Sequence, residues 1–134
     1  MAGVLVDSSV LLDILTEDAE WIAWSSAALA AVAESATLII NPIVFAEISV
    51  RFSRIEELDA RLPRDAFVRE PIPFEAAFLA GKAFLRYRRR GGQRAAPLPD
   101  FFIGAHAAVA GHRLLTRDPV RIRAYFPGLD LIAP

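Results

Sequence analysis

Three short apolar runs, Val4-Leu5-Val6, Thr37-Leu38-Ile39-Ile40 and Leu114-Leu115-Thr116, constrain the fold more than any other feature of the sequence. Each is followed at once, or within two residues, by a helix-opening signal: Asp7-Ser8-Ser9, Asn41-Pro42 and Asp118-Pro119. A buried strand needs only a few apolar residues, Asp and Asn serve as helix N-caps, and Pro is accommodated at the first helical position. Strand then helix, repeated along the chain, predicts an α/β fold with a parallel β-sheet flanked by helices on both faces and right-handed crossovers.

The other segments fit this scheme. The first helix carries Val10, Leu11, Ile14 and Leu15, and an alanine-rich helix over Glu20–Ala33 places Trp21, Trp24, Ala28 and Val32 near one face. A third helix runs from Pro42 through Val44 and Ile48 to Phe52 with Glu47 in its second turn, and another follows through Leu58. Phe67-Val68 is a short strand weakened by Pro71 and Pro73, and Glu75–Arg90 is a long helix ended by Gly91-Gly92. Asp100 stands near the start of a helix through Phe102, Ala105 and Val109 that Gly111 closes, and Leu129–Ile132 supplies a final strand.

At 134 residues the chain is expected to be one domain, 1–134, and a 54% hydrophobic content supplies its core. The longest apolar runs are far short of the roughly 20 residues that span a bilayer, so no membrane segment is expected. The first basic residue is Arg51, which leaves no basic region for a secretory signal. The absence of cysteine excludes disulfides and thiol chemistry. The cytoplasm is the expected location.

A net charge of −1 hides an asymmetry: residues 1–81 hold 5 Arg against 13 Asp and Glu, whereas 82–134 hold 10 Lys and Arg against 3 Asp. Most of the positive excess lies in Lys82, Arg86, Arg88, Arg89, Arg90 and Arg94, with no acid between Glu75 and Asp100. Such a stretch is either a solvated helix end or a surface that meets phosphates.

The acids are the most informative residues. Asp7 and Asp118 each follow a strand, Glu47 and Asp100 sit in the early turns of helices, and all four can reach the carboxyl edge of the sheet, where open parallel sheets bind ligands. Each alone resembles an ordinary helix cap. Together they would repel one another and raise each other's pKa, which a divalent cation relieves. A set of hard oxygen ligands selects Mg²⁺ or Mn²⁺ over Zn²⁺. No phosphate-binding glycine loop is present, since Gly91-Gly92 lacks the required spacing and Lys. His106 and His112 read as core or surface residues.

The runs Val4-Leu5-Val6-Asp7-Ser8-Ser9-Val10, Asn41-Pro42-Ile43-Val44-Phe45-Ala46-Glu47, Pro99-Asp100-Phe101-Phe102-Ile103-Gly104-Ala105-His106-Ala107 and Leu114-Leu115-Thr116-Arg117-Asp118 resemble the PIN-domain nucleases, and among them the VapC-type toxins of bacterial toxin–antitoxin pairs. The resemblance runs from the first strand to the last. It implies a PIN-like domain and a Mg²⁺-dependent endoribonuclease whose metal site comprises Asp7, Glu47, Asp100 and Asp118, supported by Thr116 and, in a minor way, Ser9. Asp7 and Asp100 are expected as direct ligands. The site's negative charge calls for a positive surface to meet RNA, for which Arg86, Arg88, Arg89, Arg90, Arg94 and Arg117 are the candidates. The family also implies a cognate antitoxin as partner and a homodimer, with the helix bearing Trp21 and Trp24 as candidate contact. The rival is a receiver-like Mg²⁺-binding phospho-acceptor module, but that architecture needs a Lys after Thr116 and an acid pair after the first strand, and the one Lys here is Lys82.

Overall fold

The computed structural model describes residues 2–92 and 98–134. Five strands, β1 (Val4–Val6), β2 (Leu38–Ile40), β3 (Phe67–Arg69), β4 (Arg113–Leu115) and β5 (Leu131–Ile132), form one wholly parallel sheet in the order β3-β2-β1-β4-β5. Between them run α1 (Ser8–Leu15), α2 (Ile22–Ser35), α3 (Pro42–Ser49), α4 (Ile55–Arg61), α5 (Phe74–Arg89), α6 (Leu98–Ala110) and α7 (Pro119–Tyr125). Successive side chains of a strand point to opposite faces, yet Val4, Leu5 and Val6 are all buried, so both faces of the central strand are covered. The expected α/β architecture is the observed one. No described helix is long and apolar enough to cross a membrane.

The strand order decides where a site can form. From β1 the chain steps outward to β2 and β3 on one side, then returns to β4 and β5 on the other. The direction of connection therefore reverses between β1 and β4, and the crevice at that reversal is where such sheets bind ligands. In register, Val4, Leu5 and Val6 lie beside Arg113, Leu114 and Leu115, and the Asp7 amide donates to Leu115 O at 2.9 Å. The residues just past both strands, Asp7 and Thr116, are thereby neighbours.

Several element boundaries differ from expectation by a residue or more, and three of the differences have a visible cause. The third helix ends at Ser49 rather than Phe52, because Ser49 Oγ donates back to Phe45 O at 2.7 Å while the amides of Arg51 and Phe52 bond only three residues back, to Ile48 O and Ser49 O. The second starts at Ile22 rather than Glu20, since Asp18 Oδ1 accepts from the amides of Glu20 and Trp21 and Asp18 O from Ile22, holding a turn ahead of the helix. The last strand is confined to Leu131–Ile132, the residues that register with Leu114 and Leu115.

α6 is packed on several sides. Phe101 is fully buried amid Phe84, Tyr87, Tyr125 and Phe126, its ring centroid 5.0 Å from that of Tyr125. The helix ends where Gly111 takes a φ of +73°, a conformation costly for a side chain with a Cβ. Gly104 admits the next helix layer: a Cβ there would stand 2.7 Å from the Phe126 ring and 3.3 Å from Ile122. Gly104→Ala should therefore destabilise the fold by about 1–3 kcal/mol despite alanine's better helix propensity. Urea unfolding would measure it, and a stabilised variant would contradict this packing.

Candidate functional site

Asp7 occupies the N-cap position of α1, Asn41 that of α3 and Asp118 that of α7. Only Asn41 among the three caps its helix through the side chain, Oδ1 accepting from the Val44 amide at 2.9 Å. The carboxylates of Asp7 and Asp118 make no capping bond and turn instead to a pocket of about 230 Å³. Glu47 of α3 and Asp100 of α6 line the same pocket, with Ser8, Ser9, Ile103 and Arg117. Four acids from four parts of the chain therefore meet at the β1/β4 reversal.

A protein donor holds one oxygen of each. Asp7 Oδ2 accepts from Ser9 Oγ at 2.7 Å and from Thr116 Oγ1 at 2.8 Å, and Thr116 Oγ1 in turn accepts from the Asp118 amide at 3.0 Å. Ser8 Oγ donates to Glu47 Oε1 at 2.7 Å, and Arg121 Nη1 to Asp100 Oδ2 at 2.8 Å. Arg117 Nη1 reaches Asp118 Oδ1 at 3.1 Å. In every case the described hydrogen bonds engage a single oxygen, so the other stays available to a ligand.

Burial is the main force on Asp7, Glu47 and Asp100. It pushes the Asp7 carboxyl up, the hydroxyls of Ser9 and Thr116 pull it part way back, and the charges of Asp100 and Asp118 add to the rise. Glu47 is raised for the same leading reason, with Ser8 opposing and Asp7 and Asp100 reinforcing. Burial also lifts Asp100, against the hydrogen bond and charge of Arg121. Mutual repulsion, the cause expected from the sequence, is thus secondary to desolvation. An all-oxygen donor set, crowded and costly to ionise when empty, suits a hard divalent cation such as Mg²⁺ or Mn²⁺.

Among the described residues a tighter group of possible metal ligands lies elsewhere: Glu70, His106 and His112, with ligand atoms within 4.8 Å of one another. Its hydrogen bonds argue against a metal. His112 Nδ1 accepts from the Gly3 amide at 2.9 Å, and His106 Nδ1 lies 3.0 Å from Asn41 Nδ2, whose amide orientation the Val44 bond fixes. Both rings must then carry their proton on Nε2, from which they donate to Glu70 Oε1 at 2.9 and 2.7 Å. A cation would need those Nε2 lone pairs. The group instead braces the fold: burial opposes ionisation of Glu70, but the two imidazole N–H bonds outweigh it and hold the carboxyl below its usual range.

Sequence reading named the four acids and Thr116 but missed Arg121, Asp13 and Glu70. Asp13 had a visible signal, a lone charge inside the apolar run Leu11–Leu15; Arg121 and Glu70 had none. Arg86, Arg88, Arg89 and Arg90 are exposed at the end of α5, with Arg86 and Arg90 over the Tyr125 ring and Arg86 Nη2 donating to Tyr125 O at 3.2 Å. Arg94 lies outside the described residues. Trp21 and Trp24 are half-buried and meet edge to face at 6.5 Å. Lys82 stands over Phe78 rather than near Thr116, which leaves the receiver-like reading without its lysine.

The PIN domain family model matches residues 4–126. Among solved structures the chain is similar to VapBC2 from Rickettsia felis bound to a promoter DNA fragment (TM-score 0.72, 16% identity, 98% of each chain covered). It is similar also to VapBC-1 from nontypeable Haemophilus influenzae (0.71, 14%, 97% of this chain and 96% of that one). A toxin–antitoxin complex from Klebsiella pneumoniae shares the fold as well (0.68, 23%, 96% and 95%). A search of curated proteins finds no match.

The raised acids make a stability prediction. Asp7 has a folded pKa above its unfolded value, so its favourable contribution is full only below the unfolded value and is lost as pH rises through the folded one. In EDTA, Asp7→Asn should melt at or above the wild-type temperature near pH 7, with the gap closing toward about pH 4. Differential scanning calorimetry at both pH values checks it, and a lower melting temperature at pH 7 would contradict it.

Proposed function

The chain belongs to the PIN-domain family, and from that premise we propose that it is a Mg²⁺- or Mn²⁺-dependent endoribonuclease acting as the toxin of a toxin–antitoxin pair. The observation that carries this reading is the convergence of Asp7, Glu47, Asp100 and Asp118 on one pocket at the sheet reversal. Asp7 and Asp100 are the direct ligands in this reading, with Glu47 and Asp118 completing the shell or orienting water.

A bound cation supplies Lewis acidity, lowering the pKa of a water and polarising the scissile phosphate. The chain's own residues do the rest. Thr116 and Ser9 hold Asp7 in one rotamer, Ser8 holds Glu47, and Arg121 fixes Asp100 while offsetting part of the pocket's negative charge. Asp7→Asn or Asp100→Asn should cut RNA cleavage by about a hundredfold or more, the loss of several kcal/mol of transition-state stabilisation, with the fold retained. Labelled RNA incubated with Mg²⁺, Mn²⁺ or EDTA tests this, and undiminished cleavage by either variant would sink the assignment.

The RNA meets the exposed arginines Arg86, Arg88, Arg89 and Arg90, with Arg94, in this reading, and the protein works in the cytoplasm. Its antitoxin partner is supported by the likeness to VapBC complexes, and the half-buried Trp21 and Trp24 on and beside α2 are the candidate contact. A homodimer is part of the same proposal. Changing Arg88, Arg89 and Arg90 together to Ala should flatten the slope of log K against log salt for single-stranded RNA by up to ~2 units, at about 0.7 per phosphate contact. The measurement uses Asp100→Asn protein to prevent cleavage, and an unmoved slope would reject the arginine track while leaving the nuclease reading in place.

A further inference from the structure

Arg117 lines the carboxylate pocket, but its guanidinium is committed within the protein. Nε and Nη2 fork onto the two oxygens of Asp13 at 3.1 and 3.0 Å, Nη1 donates to Asp118 Oδ1 at 3.1 Å, and Cζ lies 5.4 Å from the centre of the Trp21 ring. The Asp13 side chain is 3% exposed and is itself fixed by Ser25 Oγ at 2.7 Å. Asp118, at the other end, is 66% exposed, and the one described hydrogen bond to its carboxylate comes from Arg117. The planar guanidinium therefore ties an exposed surface carboxylate to a buried, hydrogen-bonded one.

We propose that Arg117 is a positioning residue for the cation site: anchored on Asp13, it holds the Asp118 carboxylate at the pocket mouth, in place to join a divalent cation's shell. The proposal rests on the reading of that pocket as a cation site and specifies how its one exposed acid is ordered. Charge alone points the other way. Removing a positive group from the rim of a cation site should tighten cation binding by Coulomb's law, whereas removing the group that orders a ligand should weaken it.

The test is Mn²⁺ binding to the full chain without RNA, followed by calorimetry, alongside melting temperature and the kcat and KM for RNA. Arg117→Gln should weaken Mn²⁺ binding about tenfold, as loss of a group that orients a metal ligand does, and should lower kcat more than it raises KM. Arg117→Lys, whose ammonium can neutralise Asp13 but cannot fork to Asp118 as well, should recover the melting temperature and leave Mn²⁺ binding weak. It carries the same test if Arg117→Gln does not fold. Combined with Asp118→Asn, Arg117→Gln should cost no further Mn²⁺ affinity, because both changes remove one coupled element.

Unchanged or tighter Mn²⁺ binding in Arg117→Gln overturns the proposal, as does full recovery of Mn²⁺ binding by lysine or an additive loss in the double variant. A rise in KM for RNA with Mn²⁺ binding intact makes Arg117 an RNA contact and overturns it as well. Asp7→Asn separates the two levels. If it loses Mn²⁺ while Arg117→Gln keeps it, the Arg117 assignment alone fails; if it binds Mn²⁺ as the wild type does, the cation reading fails and takes the proposal with it.

Discussion

The pairing of β1 with β4 is the constraint from which the site follows. It places an aspartate at the end of the most deeply buried strand, beside the first residue past its neighbour, where water is scarce. A carboxylate there is costly to ionise, and Ser9 and Thr116 recover only part of the cost. The remaining strain is shared with Glu47 and Asp100, each raised chiefly by burial. A fold built only for stability would put apolar groups at such a position. Retaining acids there makes sense for a protein whose pocket receives positive charge.

Much of this was legible in the sequence because it rests on local rules. Apolar triplets followed by Asn-Pro, Asp-Pro or Asp-Ser-Ser announce strand and helix within a few residues, and the topology of short parallel units does the rest. The same rules could not separate Asp7 and Asp118 from Asn41, since all three occupy N-cap positions. The difference lies in where the side chain turns once the sheet has formed: Asn41 toward its own helix, the two aspartates toward the pocket. The balance of desolvation against repulsion was likewise out of reach, because burial is a property of the assembled layers and not of neighbours in the chain.

The charge asymmetry between the halves acquires a structural sense. Asp13 in the acidic half is bound by Arg117 in the basic half, 104 residues on, and no spacing rule reaches that far. Arg121 meets Asp100 within the basic half, 21 residues away, across the gap between two helices. Two basic side chains thus work inward, against carboxylates, while those at the end of α5 stay on the surface. Arg117 and Arg121, partly exposed and each bound to a carboxylate of the pocket, offset part of the negative charge it presents to solvent.

The brace of Glu70, His106 and His112 has a chemical consequence beyond stability. The chain contains two histidines, and both are enclosed there with tautomers set by an immovable backbone amide and a pinned asparagine. No imidazole is left to shuttle protons at the carboxylate pocket. Whatever proton the departing alkoxide of a cleaved strand takes up must come from solvent or from a carboxyl group whose affinity for protons burial has already increased. The fold has withdrawn both of its imidazoles from the pocket and placed them in the frame.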